Sequence, residues 1–355
     1  MKCNLDCRYC YTDIYGGHNN DTAHPPLSEC LRTIDFMFEY ADIYMASKPR
    51  NLRYVVLNVY GGESLHHPDI VEILSAVRNK YIAYQDRWHL IVTTTTNAIV
   101  SAKKLATIIP LIDEFTVSFH AGATDKQRTQ FKENLLTIQK AGVRQKCVVL
   151  MHPEPEYFAI AQDMINWLDQ HNIRYLPRQI DSKHQDAINK YKHSTQILWL
   201  ENLYNRKTFE TDTVSLNDIK KTQSGDFDIS NTGRACCGGR QVCTDQNFKS
   251  RHFWVNNQFR DWYCSVNHFF LFVKQVNGEI FVNKDCKMNF QGQVGPIGNL
   301  ANATELLATT RQWFSDNTMP VIQCKKPRCM CGLCAPKALT LETYQAVMKK
   351  YSHKI

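Results

Sequence analysis

The chain has 355 residues, of which 43% are apolar, so it can bury a sizeable core and disorder is not the default expectation. Its net charge of +8 is small for this length and does not by itself indicate nucleic-acid binding. No apolar run approaches the roughly 18 residues of a membrane span, and no signal-peptide pattern opens the sequence. We therefore expect a cytoplasmic protein, with two domains or with one large α/β barrel and an appendage.

The N-terminal loop carries Cys3, Cys7 and Cys10 in the spacing C-x3-C-x2-C. Three thiolates on one short loop can hold three irons of a [4Fe–4S] cube, whose fourth iron is then open to a small molecule. A structural zinc site is the alternative, because its fourth ligand could come from elsewhere in the chain. The chain has 14 cysteines, and in a reducing compartment clustered cysteines favour metal binding or redox chemistry over disulfides.

Between about residues 52 and 181, short β-rich apolar runs alternate with longer segments of helical spacing. Repeated strand–helix units predict parallel strands with right-handed crossovers. The runs are nearly continuous, which is typical of strands covered on both faces. Pro68 and Asp69 mark one helix start and Gly142 marks one helix stop. The predicted strands are Leu52–Tyr60, His89–Thr96, Glu114–His120, Gln145–His152 and Ile173–Gln179, and the predicted helices cover 69–84, 101–110, 124–141 and 156–171.

The composition changes after the fifth predicted strand. Residues 182–230 are polar, contain one predicted helix around Thr195–Asn205, and are interpreted as a bridge. A hairpin is predicted at Leu271–Val282, where Asn277 and Gly278 form a turn between two apolar runs. A last helix is predicted at about 340–350. The predicted domains are therefore 1–181, the bridge 182–230, and a cysteine-rich domain over 231–355. Cys30 and Cys147 lie in a helix pattern and an apolar strand, and both are expected in the core.

The residues between the N-terminal cysteines read C-N-L-D-C-R-Y-C, which resembles the signature loop of the radical S-adenosylmethionine superfamily. The resemblance implies that Tyr9, the aromatic residue before the third cysteine, lies close to the adenine of the cofactor. Further along, Gly61-Gly62-Glu63 follows a predicted strand and resembles the GGE motif, which holds the methionine amino group. Glycines let the main chain approach a ligand, and a carboxylate accepts hydrogen bonds from an ammonium group.

Two later strand ends also resemble this family. Thr96-Asn97-Ala98 is similar to the T-N-G element that contacts the ribose and the carboxylate, with Ala98 in place of glycine. Val117-Ser118-Phe119-His120 resembles a strand ending that implies a ribose contact for Ser118, and Arg178 is implied to reach the cofactor carboxylate. The remaining histidines of these loops, His66, His67 and His120, are interpreted as loop or strand-end residues rather than metal ligands.

The resemblance implies an α/β fold, a partial (β/α)6 barrel of parallel strands with a small cysteine-rich C-terminal domain. The family places a strand before its first cysteine and only Met1 and Lys2 precede Cys3, so we expect the barrel without its first strand. The implied cofactors are a [4Fe–4S] cluster and S-adenosyl-L-methionine, whose reductive cleavage yields a 5′-deoxyadenosyl radical that abstracts hydrogen from the substrate. No catalytic side chain can be assigned from the sequence.

A second field of cysteines lies near the C-terminus and resembles the SPASM or twitch extensions of radical enzymes that modify peptides and proteins. That resemblance implies one or more auxiliary [4Fe–4S] clusters. A zinc ribbon made by the last four cysteines is the alternative. No role is assigned to Cys236, Cys237 or Cys243. The predicted auxiliary ligands are Cys264, Cys286, Cys324, Cys329, Cys331 and Cys334.

Three functions remain open at the level of the sequence. The SPASM-like extension favours a radical enzyme that modifies a peptide or protein side chain, by analogy of fold, and implies a reductant such as flavodoxin or ferredoxin. The net charge of +8 and the group Lys325, Lys326 and Arg328 keep a nucleic acid or nucleotide substrate open; its binding would be salt-dependent. A zinc-stabilised binding module without enzymatic activity is the third.

Overall fold

The structure is a computed structural model that describes residues 3–5, 7, 9–10, 24–180, 194–206, 260–268, 270–275, 277–283, 286–316, 318–325 and 337–351. The chain separates into two compact units, of which the first comprises Met1–Leu27 and Tyr54–Phe209 and the second comprises Ser28–Arg53 and Glu210–Ile355. The predicted domain limits stay a prediction, although the contacts assign Ser28–Arg53 to the second unit. No described helix has the length and hydropathy of a membrane-spanning segment.

The helices and strands of the described residues are numbered here in chain order. The α-helices are α1 (Leu27–Ala46), α2 (Ile70–Tyr81), α3 (Ala102–Ile108), α4 (Asp125–Lys140), α5 (Pro155–Gln170), α6 (Ser194–Arg206), α7 (Ala303–Ser315) and α8 (Leu341–Tyr351). The strands are β1 (Tyr54–Val59), β2 (His89–Thr96), β3 (Glu114–Phe119), β4 (Arg144–Met151), β5 (Tyr175–Gln179), β6 (Tyr263–Cys264), β7 (Phe272–Lys274), β8 (Glu279–Phe281), β9 (Gly298–Asn299), β10 (Ile322–Gln323) and β11 (Lys337–Ala338).

The first unit is built on a five-stranded sheet in the order β1-β2-β3-β4-β5, with every neighbouring pair parallel. The predicted α/β fold with parallel strands is therefore confirmed. Helices follow each of the first four strands, and local sequence explains their ends. Thr124 and Gln127 form a capping box at the start of α4, Pro155 occupies the first turn of α5, and Gly142 ends α4 with φ 71°.

The two faces of this sheet differ in character. One face is apolar and buried, and includes Leu57, Phe115, Val117 and Val149. The prediction of cover on both faces is confirmed for the central parts of β2 and β4, where consecutive residues are buried, whereas burial alternates along β1 and β3. From the strand register, the opposite face carries mostly polar side chains toward the carboxyl ends, namely Asn58, Thr93, Thr95, Thr116, Ser118, Lys146 and Arg178.

The second unit contains two small three-stranded sheets, ordered β10-β6-β11 and β7-β8-β9. The predicted hairpin is confirmed, because β7 and β8 pair antiparallel and Gly278 turns between them with φ 69°. The predicted last helix is α8. Helix α7 was absent from the predictions, and α1 was predicted only as a helix pattern around Cys30. Both helices contribute to one apolar cluster, α1 with Phe36 and Tyr40 and α7 with Leu306 and Leu307.

The cysteines outside the two cysteine groups lie where the sequence predicted. Cys30 on α1 and Cys147 on β4 are both buried, the latter with no exposed surface. Burial raises the pKa of the Cys147 thiol, so this side chain stays a neutral apolar residue. Both therefore act as packing residues.

Candidate functional site

The N-terminal cysteine loop is compact. The Cys10 amide donates a hydrogen bond to the Cys7 carbonyl at 2.9 Å, and the Leu5 amide donates to the Cys3 sulfur at 3.5 Å. The three thiols are partly buried, whereas Leu5 is buried and anchors the loop. Burial raises the pKa of the Cys3 thiol, and the nearby Glu63 carboxylate and Cys10 raise it further. The loop therefore gathers its thiols beside Glu63, 60 positions along the chain.

Asn4 ties this loop to the end of β2. Its side-chain amide donates to the Ile99 carbonyl at 3.1 Å, and its oxygen accepts from the Asn97 side chain at 2.6 Å. Asn97 belongs to the Thr96-Asn97-Ala98 element, and its own oxygen accepts from the Ile99 amide at 2.9 Å. Two sequence motifs are thus held together by direct hydrogen bonds.

Glu63 ties a third motif to the same place. Its carboxylate accepts hydrogen bonds from the Thr96 hydroxyl at 2.5 Å, the Asn97 amide at 2.6 Å and the Leu65 amide at 3.0 Å. Only 1% of Glu63 is exposed, and this burial raises the pKa of its carboxyl group while the three hydrogen bonds oppose that change. Gly61 and Gly62 before it have φ values of 118° and 52°, which favour glycine.

Ala98 adopts the left-handed conformation, with φ 52°, that the glycine of the related element would supply. A residue with a Cβ pays for this conformation with local strain of about 1 kcal/mol. The turn is held by Asn134 of α4, whose side-chain amide donates to the carbonyls of Ala98 at 2.7 Å and Val100 at 2.8 Å. Sequence reasoning missed Asn134; its signal was a polar residue on the apolar face of α4, beside Phe131 and Leu135.

His120, at the end of β3, lies against the cysteine loop. Its Nδ1 is 3.4 Å from the Cys7 sulfur and 3.1 Å from the Tyr9 hydroxyl oxygen. The rings of Tyr9 and His120 are stacked with an interplanar angle of 10°. His152, at the end of β4, meets the Tyr9 ring edge-on with centroids 5.5 Å apart. Burial lowers the pKa of His120 to about 4 and raises the pKa of Tyr9.

Ser118 and Arg178 lie on the polar face of the sheet. Ser118 on β3 pairs with Val148 of β4, and Arg178 on β5 pairs with Leu150 two residues further on. Residues two apart on a strand share a face, so both side chains project to the same side. Arg178 is exposed. Their predicted contacts with a cofactor stay a prediction.

His66 and His67 each contact a backbone carbonyl in another loop. His66 Nε2 lies 3.0 Å from the Ile99 carbonyl oxygen, and His67 Nε2 lies 2.9 Å from the Pro25 carbonyl oxygen. The other ring nitrogen of His67 accepts from the Asp69 amide at 3.1 Å, just before α2. These contacts are those of loop histidines, in line with the interpretation from the sequence.

The donor types at the N-terminal loop fit a sulfur-rich metal centre, because the loop carries three thiols and the His120 imidazole lies beside one of them, Cys7. In the part of the chain that the structure describes, no group of three or more His, Cys, Asp or Glu side chains is already arranged around a metal position. The position of His120 also bears on the zinc alternative, since Cys3, Cys7, Cys10 and His120 would make a closed four-ligand set.

Three of the predicted auxiliary ligands lie among the described residues. Cys264 and Cys286 belong to one buried cluster, and the Cys324 amide donates to the Trp262 carbonyl at 2.9 Å, beside β6. β10 and β11 both pair with β6, at Tyr263 and Cys264, so both ends of the segment between them are anchored beside Cys264. Cys329, Cys331 and Cys334 of that segment, together with Cys236, Cys237 and Cys243, lie outside the described residues.

The structure resembles two solved structures of anSMEcpe, an anaerobic sulfatase-maturating radical S-adenosylmethionine enzyme. The one with bound AdoMet has a TM-score of 0.50 and 8% identity, over 98% of this chain and 93% of that chain. The one with bound AdoMet and the Cp18Cys peptide has a TM-score of 0.50 and 10% identity, over 99% and 93%. No protein-family model and no curated protein matches the sequence. The chain therefore shares the fold of these two AdoMet-bound structures, in line with the α/β fold that its motifs predicted.

Proposed function

We propose that this protein is a radical S-adenosylmethionine enzyme that abstracts hydrogen from a peptide or protein side chain. The observation that carries the proposal is the hydrogen-bonded network joining Asn4, Asn97, Thr96 and Glu63. It brings three short motifs, separated by dozens of residues, to one edge of a parallel sheet. Enzymes with such sheets bind their ligands beyond the carboxyl ends of the strands.

In this proposal Cys3, Cys7 and Cys10 hold a [4Fe–4S] cluster, and S-adenosyl-L-methionine binds beside it. When bound, these groups supply an electron and a hydrogen-abstracting radical, with a reductant such as flavodoxin or ferredoxin as the source of the electron. Glu63 accepts three hydrogen bonds from the chain, and a carboxylate can accept about four. One acceptor position therefore remains for the ammonium group of the cofactor.

The other predicted cofactor residues have matching chemistry. Gly61 and Gly62 leave room for close approach of a ligand to the main chain. Asn97 is fixed by its bonds to Asn4 and Ile99, so the turn it belongs to is rigid before any ligand arrives. Tyr9 offers a ring face for an adenine, Ser118 a hydroxyl for a ribose, and Arg178 a guanidinium for a carboxylate.

A peptide substrate is supported by the polar face of the sheet and by analogy with the fold. Thr95, Thr116, Ser118 and Lys146 supply donors and acceptors that can pair with peptide amides and carbonyls. The structurally similar anSMEcpe was solved with AdoMet and a peptide.

One or more auxiliary clusters would be held by the C-terminal cysteines, namely Cys264, Cys286, Cys324, Cys329, Cys331 and Cys334. The alternative nucleic-acid substrate rests on the net charge of +8 together with Lys325, Lys326 and Arg328, and salt-insensitive substrate binding would count against it.

The test is anaerobic reconstitution followed by counting of iron and sulfide and by an assay for 5′-deoxyadenosine in the presence of reductant. We expect the wild-type chain to form 5′-deoxyadenosine, and the triple variant Cys3→Ala/Cys7→Ala/Cys10→Ala to lose both that product and the iron of one cluster. The matched control is Cys30→Ala/Cys147→Ala, which removes two buried packing thiols and should keep the iron content.

A zinc-stabilised binding module is the second candidate, because His120 supplies a fourth donor beside Cys7. It predicts zinc without iron or sulfide in the anaerobically purified chain, and loss of that zinc in His120→Ala. Either result would refute the radical enzyme, as would undiminished 5′-deoxyadenosine from the triple cysteine variant.

A further inference from the structure

His120 occupies a position that the proposed cofactor sites do not explain. Its Nδ1 lies 3.4 Å from the Cys7 sulfur, within the range of a hydrogen bond to sulfur. The Tyr9 hydroxyl oxygen lies 3.1 Å from the same nitrogen. The residue comes directly after β3, so the sheet carries it to the cysteine loop, 113 positions away in the chain.

We propose that His120 is a positioning residue, which donates the Nδ1 hydrogen to the Cys7 sulfur and thereby raises the reduction potential of the N-terminal cluster. The inference rests on the proposed function, because it requires an iron–sulfur cluster on this loop. His120 is not a ligand in this arrangement. It contacts the sulfur of a ligand, Cys7, and changes the reduction potential of the cluster without binding iron itself.

The chemistry of the pair supports a donor role. A thiolate that ligates iron has lost its proton and can only accept a hydrogen bond. A neutral imidazole carries one N–H and one bare nitrogen, and the contacts of the ring decide which nitrogen carries the hydrogen. With Cys7 as a thiolate, the Nδ1–H form satisfies the sulfur. In this form the Tyr9 hydroxyl oxygen, 3.1 Å away, can accept from the same N–H.

The ring is also held in the orientation that this bond needs. The His120 ring lies nearly parallel to the Tyr9 ring, at 10° with centroids 6.0 Å apart, and the 3.1 Å contact of Nδ1 with the Tyr9 hydroxyl oxygen limits rotation of the imidazole. Tyr9 is itself flanked edge-on by His152. Since the histidine follows a strand of the central sheet and Tyr9 precedes Cys10, the contact is built from two fixed segments rather than from a mobile side chain.

A hydrogen bond to a cluster sulfur favours the reduced state, because reduction adds negative charge that the N–H stabilises. Removing the donor should therefore make the cluster harder to reduce. We expect about a tenfold fall in the equilibrium constant for reduction, which is about 59 mV for a one-electron couple.

The experiment is an anaerobic redox titration of the reconstituted full chain, followed by electron paramagnetic resonance. The signal of the N-terminal cluster is identified as the one missing from the triple cysteine variant. The variants are His120→Leu, which removes the donor, and His120→Asn, whose amide can restore it. His89→Leu is the control, because His89 is the first residue of β2 and lies at the amino ends of the strands, away from the site at their carboxyl ends.

We expect His120→Leu to keep the iron and shift the potential downward, while His120→Asn and His89→Leu stay near the wild-type value. An unchanged potential in an iron-loaded His120→Leu protein would overturn this inference and leave the proposed function intact. Loss of the N-terminal cluster's iron from a folded His120→Leu protein would also overturn it, because it would indicate a ligand. Zinc in the wild-type loop would instead refute the proposed function and this inference with it.

A measurement on the wild-type chain covers the case in which His120→Leu does not fold. With ¹⁵N-labelled histidine, pulsed electron paramagnetic resonance should detect a weak nitrogen coupling to the reduced N-terminal cluster. The coupling should vanish in His120→Asn and persist in His89→Leu. A strong coupling typical of a directly bound nitrogen, or the absence of any coupling in the wild type, would contradict the proposal.

Discussion

The Glu63 carboxylate accepts a hydrogen bond from the Thr96 hydroxyl at 2.5 Å, inside the buried edge of the sheet. Thr96 in turn accepts from the Ala98 amide at 2.8 Å, so one hydroxyl joins the glycine loop after β1 to the turn after β2. The two predicted cofactor elements are therefore a single hydrogen-bonded unit.

Thr96→Val should destabilise this edge, because valine has nearly the same shape but can neither donate to Glu63 nor accept from Ala98. An unpaired buried donor costs about 1–3 kcal/mol, and we expect a loss of that size in the free energy of unfolding. Urea denaturation of the metal-free chain measures it. Thr107→Val is the control, since its exposed hydroxyl bonds only within α3, and it should change stability by about 0.5 kcal/mol or less. Equal losses in the two variants would contradict the network.

Asn134→Leu should destabilise the chain by about 1–3 kcal/mol, because it removes the side-chain donor of the buried Ala98 carbonyl and one of the two donors of the Val100 carbonyl. The Ala98 turn would then lack the bond that holds its strained conformation. Gln130→Ala gives the graded control: it removes one bond to the Val100 carbonyl from a partly buried side chain, and should cost about 1 kcal/mol or less. A smaller loss in Asn134→Leu than in Gln130→Ala, measured by the same denaturation, would show that Asn134 does not hold the turn.

Tyr344→Phe and Tyr44→Phe should have opposite effects. Tyr344 is only 3% exposed, and its hydroxyl has no hydrogen-bond partner among the residues described. Its removal should be neutral or should stabilise the fold by up to about 1 kcal/mol, because a buried group without a partner is unfavourable. The Tyr44 hydroxyl donates to the His268 carbonyl, and its loss should cost about 1 kcal/mol. Comparing the two melting curves tests this, and a clear loss in Tyr344→Phe would indicate a partner for its hydroxyl.

The second unit should lose stability in acid through His268. Burial, with a smaller effect of Lys48, lowers the pKa of His268 from 6.5 to about 4. Between these values the unfolded chain binds the proton more strongly than the folded chain, so the free energy of unfolding falls as the pH falls from 6.5 to 4. This group contributes roughly 3 kcal/mol across that window.

His268→Leu should remove this part of the pH dependence. The stability difference between wild type and variant should shrink by roughly 3 kcal/mol from pH 7 to pH 4, as measured by denaturation at a series of pH values. Between pH 7 and 8 the difference should stay constant, which serves as the internal control. If the free energies of unfolding of the two proteins fell in parallel below pH 6.5, the lowered pKa of buried His268 would be contradicted.

Local sequence was sufficient for the elements whose signal lies within one segment. The run His89–Thr96 was predicted with the bounds that the structure has, because its last six residues are all β-branched and leave no competing helical period. The hairpin at Gly278 followed from its turn residues in the same way. Helix α1 was predicted only as a pattern around Cys30, and the burial of Phe36 and Tyr40 could not be predicted, because it comes from partners about 240 residues away, such as Val273 and Ile280.

The sequence by itself determined which functional groups the site contains. These are three thiols at a fixed spacing, two glycines before a carboxylate, and a polar turn after a strand. Only the tertiary structure decided which of these groups meet. The contacts of His120 with Cys7 and of Asn134 with Ala98 join segments that are far apart in the chain. Their physical reason is the parallel sheet, which brings successive strand ends to one edge, so that residues without any shared local pattern become neighbours.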